Sequence, residues 1–146
     1  MGIVNERDRQ PKIGDVYLVR FEGTGNEQRG VRPGLIFQNN VGNTFSPNVI
    51  ALPLTSSIKK IGQPTHVLVP SNGTGLARDS VVLCENPERI SKDRLVCYIT
   101  TLPDEYMEQI AVASLLASSA ISFIDIEKLM LIWEKAVSLN GFEQVA

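Results

Sequence analysis

Apolar and polar residues alternate with two different periods along this chain, and the period changes near Thr100. Before that point the apolar positions come in short β-rich runs. These are Val16 to Phe21, entered through Gly14-Asp15, then Val31 to Gln38, Val49 to Leu54, Thr65 to Val69, Ser80 to Cys84 and Arg94 to Ile99. Gly, Pro, Asn or hydroxyl residues punctuate them, so the pattern predicts six short strands in a small barrel or sandwich. Glu22 to Gly30 predicts a loop and Asn39 to Pro47 a turn. After Thr100 the spacing becomes helical. Pro103, Asp104 and Glu105 form a first turn whose acids suit the helix dipole, followed by Met107, Ile110, Ala111 and Leu115. A second helix starts at Asp125, carries Ile126, Leu129, Met130, Trp133 and Val137 on one stripe, and stops at Asn140-Gly141. The stripe reads as a packing face. Residues 1–11 are expected to form a flexible leader, 12–124 one mainly β domain, and 125–146 an additional helix packed on it.

Composition adds bounds rather than detail. With 146 residues, 43% hydrophobic and 21% charged, the chain is long enough to bury a core without a disulfide or metal staple. The run from Ile110 to Ile124 is shorter than the roughly 20 residues that cross a bilayer. Asn5 to Arg9 put charges where the apolar part of a secretory signal would begin, so a cytoplasmic location is expected. Cys84 and Cys97 are flanked by strand-type residues and read as buried thiols. Together with the distant His66 they match no zinc spacing, and no cofactor motif is present, so neither metal nor cofactor is expected.

Charge is unevenly spread. Residues 1–100 hold 12 Lys and Arg against 9 Asp and Glu, whereas residues 101–146 hold 2 against 7. The larger, slightly basic part can present a local positive groove even though the net charge is -2. No charge at all occurs from Pro33 to Ile58, which predicts two central strands joined by a polar turn. Arg32 and Thr55 stand at the borders of that stretch. An Arg beside hydroxyls can grip a phosphodiester, but on spacing alone the pair reads as a surface ion-pair residue and a hydrophilic strand end.

A wider set of motifs decides between these readings. Gly14-Asp15-Val16-Tyr17, Glu27-Gln28-Arg29-Gly30-Val31-Arg32-Pro33, Gln38-Asn39-Asn40 with Asn43 and Phe45-Ser46-Pro47, Pro53-Leu54-Thr55-Ser56, Pro64-Thr65-His66-Val67 and Arg78-Asp79-Ser80-Val81 together resemble the MazF/PemK family. The resemblance spans roughly Lys12 to Phe123, in the family's order. It implies a homodimeric SH3-like barrel, the toxin of a bacterial toxin-antitoxin pair. Such a toxin cuts single-stranded RNA without a metal and leaves a 2',3'-cyclic phosphate and a 5'-hydroxyl.

The resemblance also places residues. It puts Arg32 and Thr55 at the catalytic positions, and Asn26, Glu27, Gln28, Gln63, Pro64, His66, Ser80, Glu85 and Asn86 along the RNA groove. Some relatives carry His where this chain has Val31, which leaves the general base open, with Glu27 as a candidate. An antitoxin with an acidic, disordered tail is the second implied partner. Two rival functions share the fold: a toxin that binds a protein target such as a topoisomerase, and a non-catalytic RNA-binding module.

Overall fold

The computed structural model describes residues 9–23, 29–57 and 62–140. Seven strands form one sheet: β1 (Asp15–Glu22), β2 (Arg29–Ile36), β3 (Asn48–Thr55), β4 (His66–Val69), β5 (Ser80–Leu83), β6 (Glu88–Ser91) and β7 (Leu95–Thr101). All pairings are antiparallel and follow the order β4-β5-β3-β2-β1-β7, with β6 on β3. The mainly β fold with C-terminal helices is therefore as expected. The sheet does not close, so it is barrel-like only in a loose sense. Two register shifts where β1 meets β7 are the bulges that add local twist.

The uncharged stretch is explained by the middle of this sheet. β2 and β3 lie between other strands, and Ala51 to Leu54 are all buried. Alternation along the strands divides the core into two clusters. Val16, Leu35, Leu52, Leu54, Val67, Val69 and Val82 face one side, with Ile110 and Ala113 of a helix over them. Tyr17, Val19, Phe21, Ile36, Val49, Ala51 and Ile90 face the other. Gly34 belongs where these strands approach most closely, because a Cβ there would lie 3.1 Å from both Phe21 and Val19.

Several expectations are corrected. Asn39 to Pro47 is not a simple turn but holds a short helix, α1 (Asn40–Phe45). Asn39 caps it, its side-chain oxygen accepting from the Gly42 N–H at 2.8 Å, and such a cap is drawn from the same polar residues that make turns. β6 was not foreseen because Ile90 is its one apolar residue. The helix after Thr100 is α2 (Asp104–Ser118), but its inner face is Tyr106, Met107, Ile110 and Ala113, while Ala111 and Leu115 are exposed.

Cys84 is buried and its thiol is pushed up to about 11 by burial, but Cys97 is exposed because β7 is an edge strand. Of the charged leader, residues 1–8 lie outside the described residues, and Arg9 near its end packs against the sheet. Arg9 lies 4.1 Å over the Tyr98 ring and donates to the buried Asp15 carboxylate at 3.1 and 3.2 Å. The Lys12 N–H and the Thr101 hydroxyl complete that carboxylate's partners. The last helix, α3 (Ile126–Asn140), follows a 3₁₀ turn at Ala120–Phe123. No helix is long and apolar enough to cross a membrane among the described residues.

Candidate active site

Arg32 and Thr55 are brought together by strand register. β2 and β3 pair Ile36 with Ala51, Leu35 with Leu52 and Gly34 with Pro53. Two residues further along the same register Arg32 comes opposite Thr55. The ladder stops short of them, at a point where neither Pro33 nor Pro53 has an N–H to donate. A cleft of about 360 Å³ opens there, lined by Arg32, Pro33, Leu54, Thr55, Ser56, Leu76, Ala77, Arg78, Ser80 and Ile99.

The far wall of the cleft is the loop between β4 and β5, and it is tightly fixed. The Thr74 hydroxyl donates to the Pro70 carbonyl, the Ser71 N–H donates to Asp79 Oδ1 at 2.8 Å, and the Thr100 hydroxyl donates to the Thr74 carbonyl at 2.9 Å. Gly75 makes that approach to β7 possible. Its φ is +79°, and a Cβ would lie 2.8 Å from the Thr100 Cβ. Leu76 is anchored in the core one residue later, which turns Ala77 and Arg78 toward the cleft.

Hydroxyl orientations follow from the hydrogen bonds. The Ser57 N–H donates to Thr55 Oγ1 at 3.2 Å, so the Thr55 oxygen is held in place while its own hydrogen is available to a ligand. Ser80 donates to the Arg78 carbonyl at 2.9 Å, which leaves its oxygen able to accept. Two guanidinium groups and no carboxylate or imidazole line the cleft among the described residues, so its field favours an anion. Arg78 was missed in the sequence. It stood in the Arg78-Asp79-Ser80-Val81 motif, but nothing local assigned it a place in the site.

The other candidates lie elsewhere. Gln63, Pro64 and His66 line a second groove of about 500 Å³, between β4 and α2. His66 Nε2 is 2.6 Å from Glu85 Oε1, and Asn86 follows in the turn after β5, its N–H donating to the Leu83 carbonyl. Of the expected groove residues, the structure therefore places only Ser80 in the Arg32–Thr55 cleft. Asn26, Glu27 and Gln28 lie outside the described residues. The two openings flank β5 from its two sides: Thr55 of β3 pairs with Val81, while His66 to Leu68 of β4, which line the second groove, pair with Leu83 to Val81.

Burial pushes the Glu85 carboxyl up. Hydrogen bonds from His66, from its own backbone N–H and from Thr65 outweigh that and hold it below the ordinary carboxylate range. A depressed folded-state value means the stabilisation is complete above the unfolded carboxylate value of about 4.3 and fades as pH falls through the lower folded value. The stability difference between the native chain and Glu85→Gln should therefore be present at neutral pH and shrink on acidification below about pH 4.3. Urea unfolding at a series of pH values checks this, and a difference that grows on acidification would contradict it.

The chain belongs to the PemK-like, MazF-like toxins of type II toxin-antitoxin systems, whose family model matches residues 12–116. The resemblance seen in the motifs is thereby borne out. Over 113 residues the chain is 42% identical to "Endoribonuclease EndoA" of Bacillus subtilis, covering 77% of this chain and 97% of that one. It is 41% identical over 98 residues to "Endoribonuclease MazF" of Staphylococcus saprophyticus, covering 66% and 82%. Among solved structures, "Endoribonuclease in complex with its cognate antitoxin from Mycobacterial species" superposes with a TM-score of 0.62 at 29% identity, covering 75% of this chain and 95% of that one.

Proposed function

We propose that this chain is the toxin of a type II toxin-antitoxin pair and a sequence-specific endoribonuclease. It acts on single-stranded mRNA in the cytoplasm, as a homodimer, through the Arg32–Thr55 cleft. The observation that carries this reading is the convergence of Arg32, Thr55, Arg78 and Ser80 on one cleft whose described lining bears positive charge.

The RNA supplies its own nucleophile. A ribose 2'-hydroxyl attacks the adjacent phosphorus and the bond from phosphorus to the 5'-oxygen breaks. The products are a 2',3'-cyclic phosphate and a 5'-hydroxyl, with no metal needed to make the nucleophile. One proton leaves the 2'-hydroxyl and one is taken up by the departing 5'-oxygen. Charge builds on the non-bridging phosphate oxygens between these events. Arg32 and Thr55 donate hydrogen bonds to those oxygens, and their positions on a rigid sheet spare the reaction any rearrangement. Arg32 is not the proton acceptor, because a guanidinium carries donors only and has no lone pair to offer a proton. No base lines the described cleft, so the reading assigns that role to Glu27, five residues ahead of Arg32.

Arg78 grips a neighbouring phosphate. Ser80 accepts from a base, while Asn26, Gln28, Gln63, Pro64, His66, Glu85 and Asn86 read unstacked bases on either side of the cut. An antitoxin blocks the same cleft with an acidic segment that is disordered until bound, since the charge that attracts phosphate also attracts carboxylates.

Incubating the purified chain with a long RNA tests the reading. Cuts confined to one short recurring sequence are expected, and RNA that stays intact would favour the silent binding module or the protein-targeting toxin. Arg78→Ala should weaken RNA binding several-fold and flatten its salt dependence, with less effect on single-turnover rate at saturating enzyme. Binding titrations at two salt concentrations check this, and an unchanged salt slope would remove Arg78 from the phosphate track.

A further inference from the structure

A concentrated run of exposed apolar side chains lies on α3. Asp125 caps the helix, its Oδ1 accepting from the Lys128 N–H at 3.1 Å. Beyond the cap, Ile126, Leu129, Met130, Ile132 and Trp133 are between 46 and 65% exposed. At 100° per residue these five share one broad arc, and Glu127, Lys128, Glu134 and Lys135 share the opposite one with Leu131 among them. A face of that kind needs a cover, and the described part of the chain gives it none. The family match ends before it, and the alignment with the Bacillus relative uses 97% of that protein but only 77% of this one.

We infer that α3 is a self-association surface, its apolar arc covered by α3 of a second copy of this chain. The inference does not depend on RNA cleavage. Area supports it: with exposed Ile121 and Phe123 just before the helix, seven large side chains at on the order of 100 Å² each give about 700 Å² per copy. Two copies then offer about 1,400 Å², which falls within the range of stable specific interfaces. Charge selects the partner. α3 carries two acids and two bases within a segment, 101–146, that is otherwise acidic. A neutral helix can meet its own copy without repulsion, whereas a membrane-surface helix needs a basic polar face and RNA needs a positive one.

Sedimentation velocity of the full chain at several concentrations tests the inference. The double variant Leu129→Glu/Trp133→Glu should raise the concentration at half-association at least tenfold, and Leu131→Glu, on the charged arc, should leave it unchanged. A second measurement covers the case in which the double variant misfolds. With the exposed Cys97 replaced by Ser, Met130→Cys should be joined to its copy by a short bis-maleimide much faster than Glu127→Cys. Equal association of the native chain and a folded double variant would overturn the inference. So would equal cross-linking rates, or flotation of the native chain with phosphatidylcholine–phosphatidylglycerol vesicles without self-association.

Discussion

Arg32→Ala should cut RNA 100- to 1,000-fold more slowly than the native chain, a loss of about 3–4 kcal/mol of transition-state stabilisation. The size follows from the timing of the interaction. In the proposed reaction Arg32 meets its full partner only when negative charge has accumulated on the phosphate oxygens, so its loss should raise the barrier more than it weakens binding of intact RNA. The residue is exposed in the middle of β2, opposite Val19, and no core packing depends on it. Circular dichroism and the unfolding midpoint should therefore stay near native. Arg32→Lys should recover only part of the rate, because an ammonium keeps the charge but not the planar fork of donors. Near-native single-turnover cleavage by Arg32→Ala would remove Arg32 from the chemistry.

Thr55→Val should cost roughly 100-fold in the same assay. Valine keeps the branched shape at the end of β3 and removes only the hydroxyl, so the comparison isolates one hydrogen bond. Thr55→Ser should retain much of the rate, since the Ser57 N–H can still hold the oxygen and direct its hydrogen into the cleft. Near-native cleavage by Thr55→Val together with a large loss in Thr55→Ser would show that shape, not donation, is what the site needs from residue 55. If Arg32 and Thr55 act on the same transition state, the double variant should lose less than the product of the two single losses. Full additivity would mean that they act separately.

How much of this was legible in the sequence differs from element to element. The uncharged stretch from Pro33 to Ile58 marked the two central strands because a strand covered on both faces cannot hold charge. α1 was hidden, since Asn39 can cap a helix as readily as start a turn. β6 was hidden as well, because its pairing with β3 relies on backbone hydrogen bonds and the single buried Ile90. The α2 stripe was placed out of phase: an exposed Leu115 and a buried Ala113 cannot be told apart until the neighbouring strand is known.

At the site, the motifs pointed to Arg32 and Thr55, and only the β2–β3 register could bring them face to face. Arg78 joins them through a fixed loop whose path depends on Gly75 passing close to Thr100, a contact 25 residues away in sequence that no local pattern records. The separation of Gln63, Pro64 and His66 into a second groove has a similar origin, because it is set by where α2 lies over β4.

Analysis of the RNA ends made by the purified chain in EDTA tests the central claim most directly. The account predicts a 2',3'-cyclic phosphate on one fragment and a 5'-hydroxyl on the other, at a recurring sequence, with both products missing when Arg32→Ala is used. Fragments that carry a 5'-phosphate, or cleavage that stops in EDTA and returns with added magnesium, would contradict it.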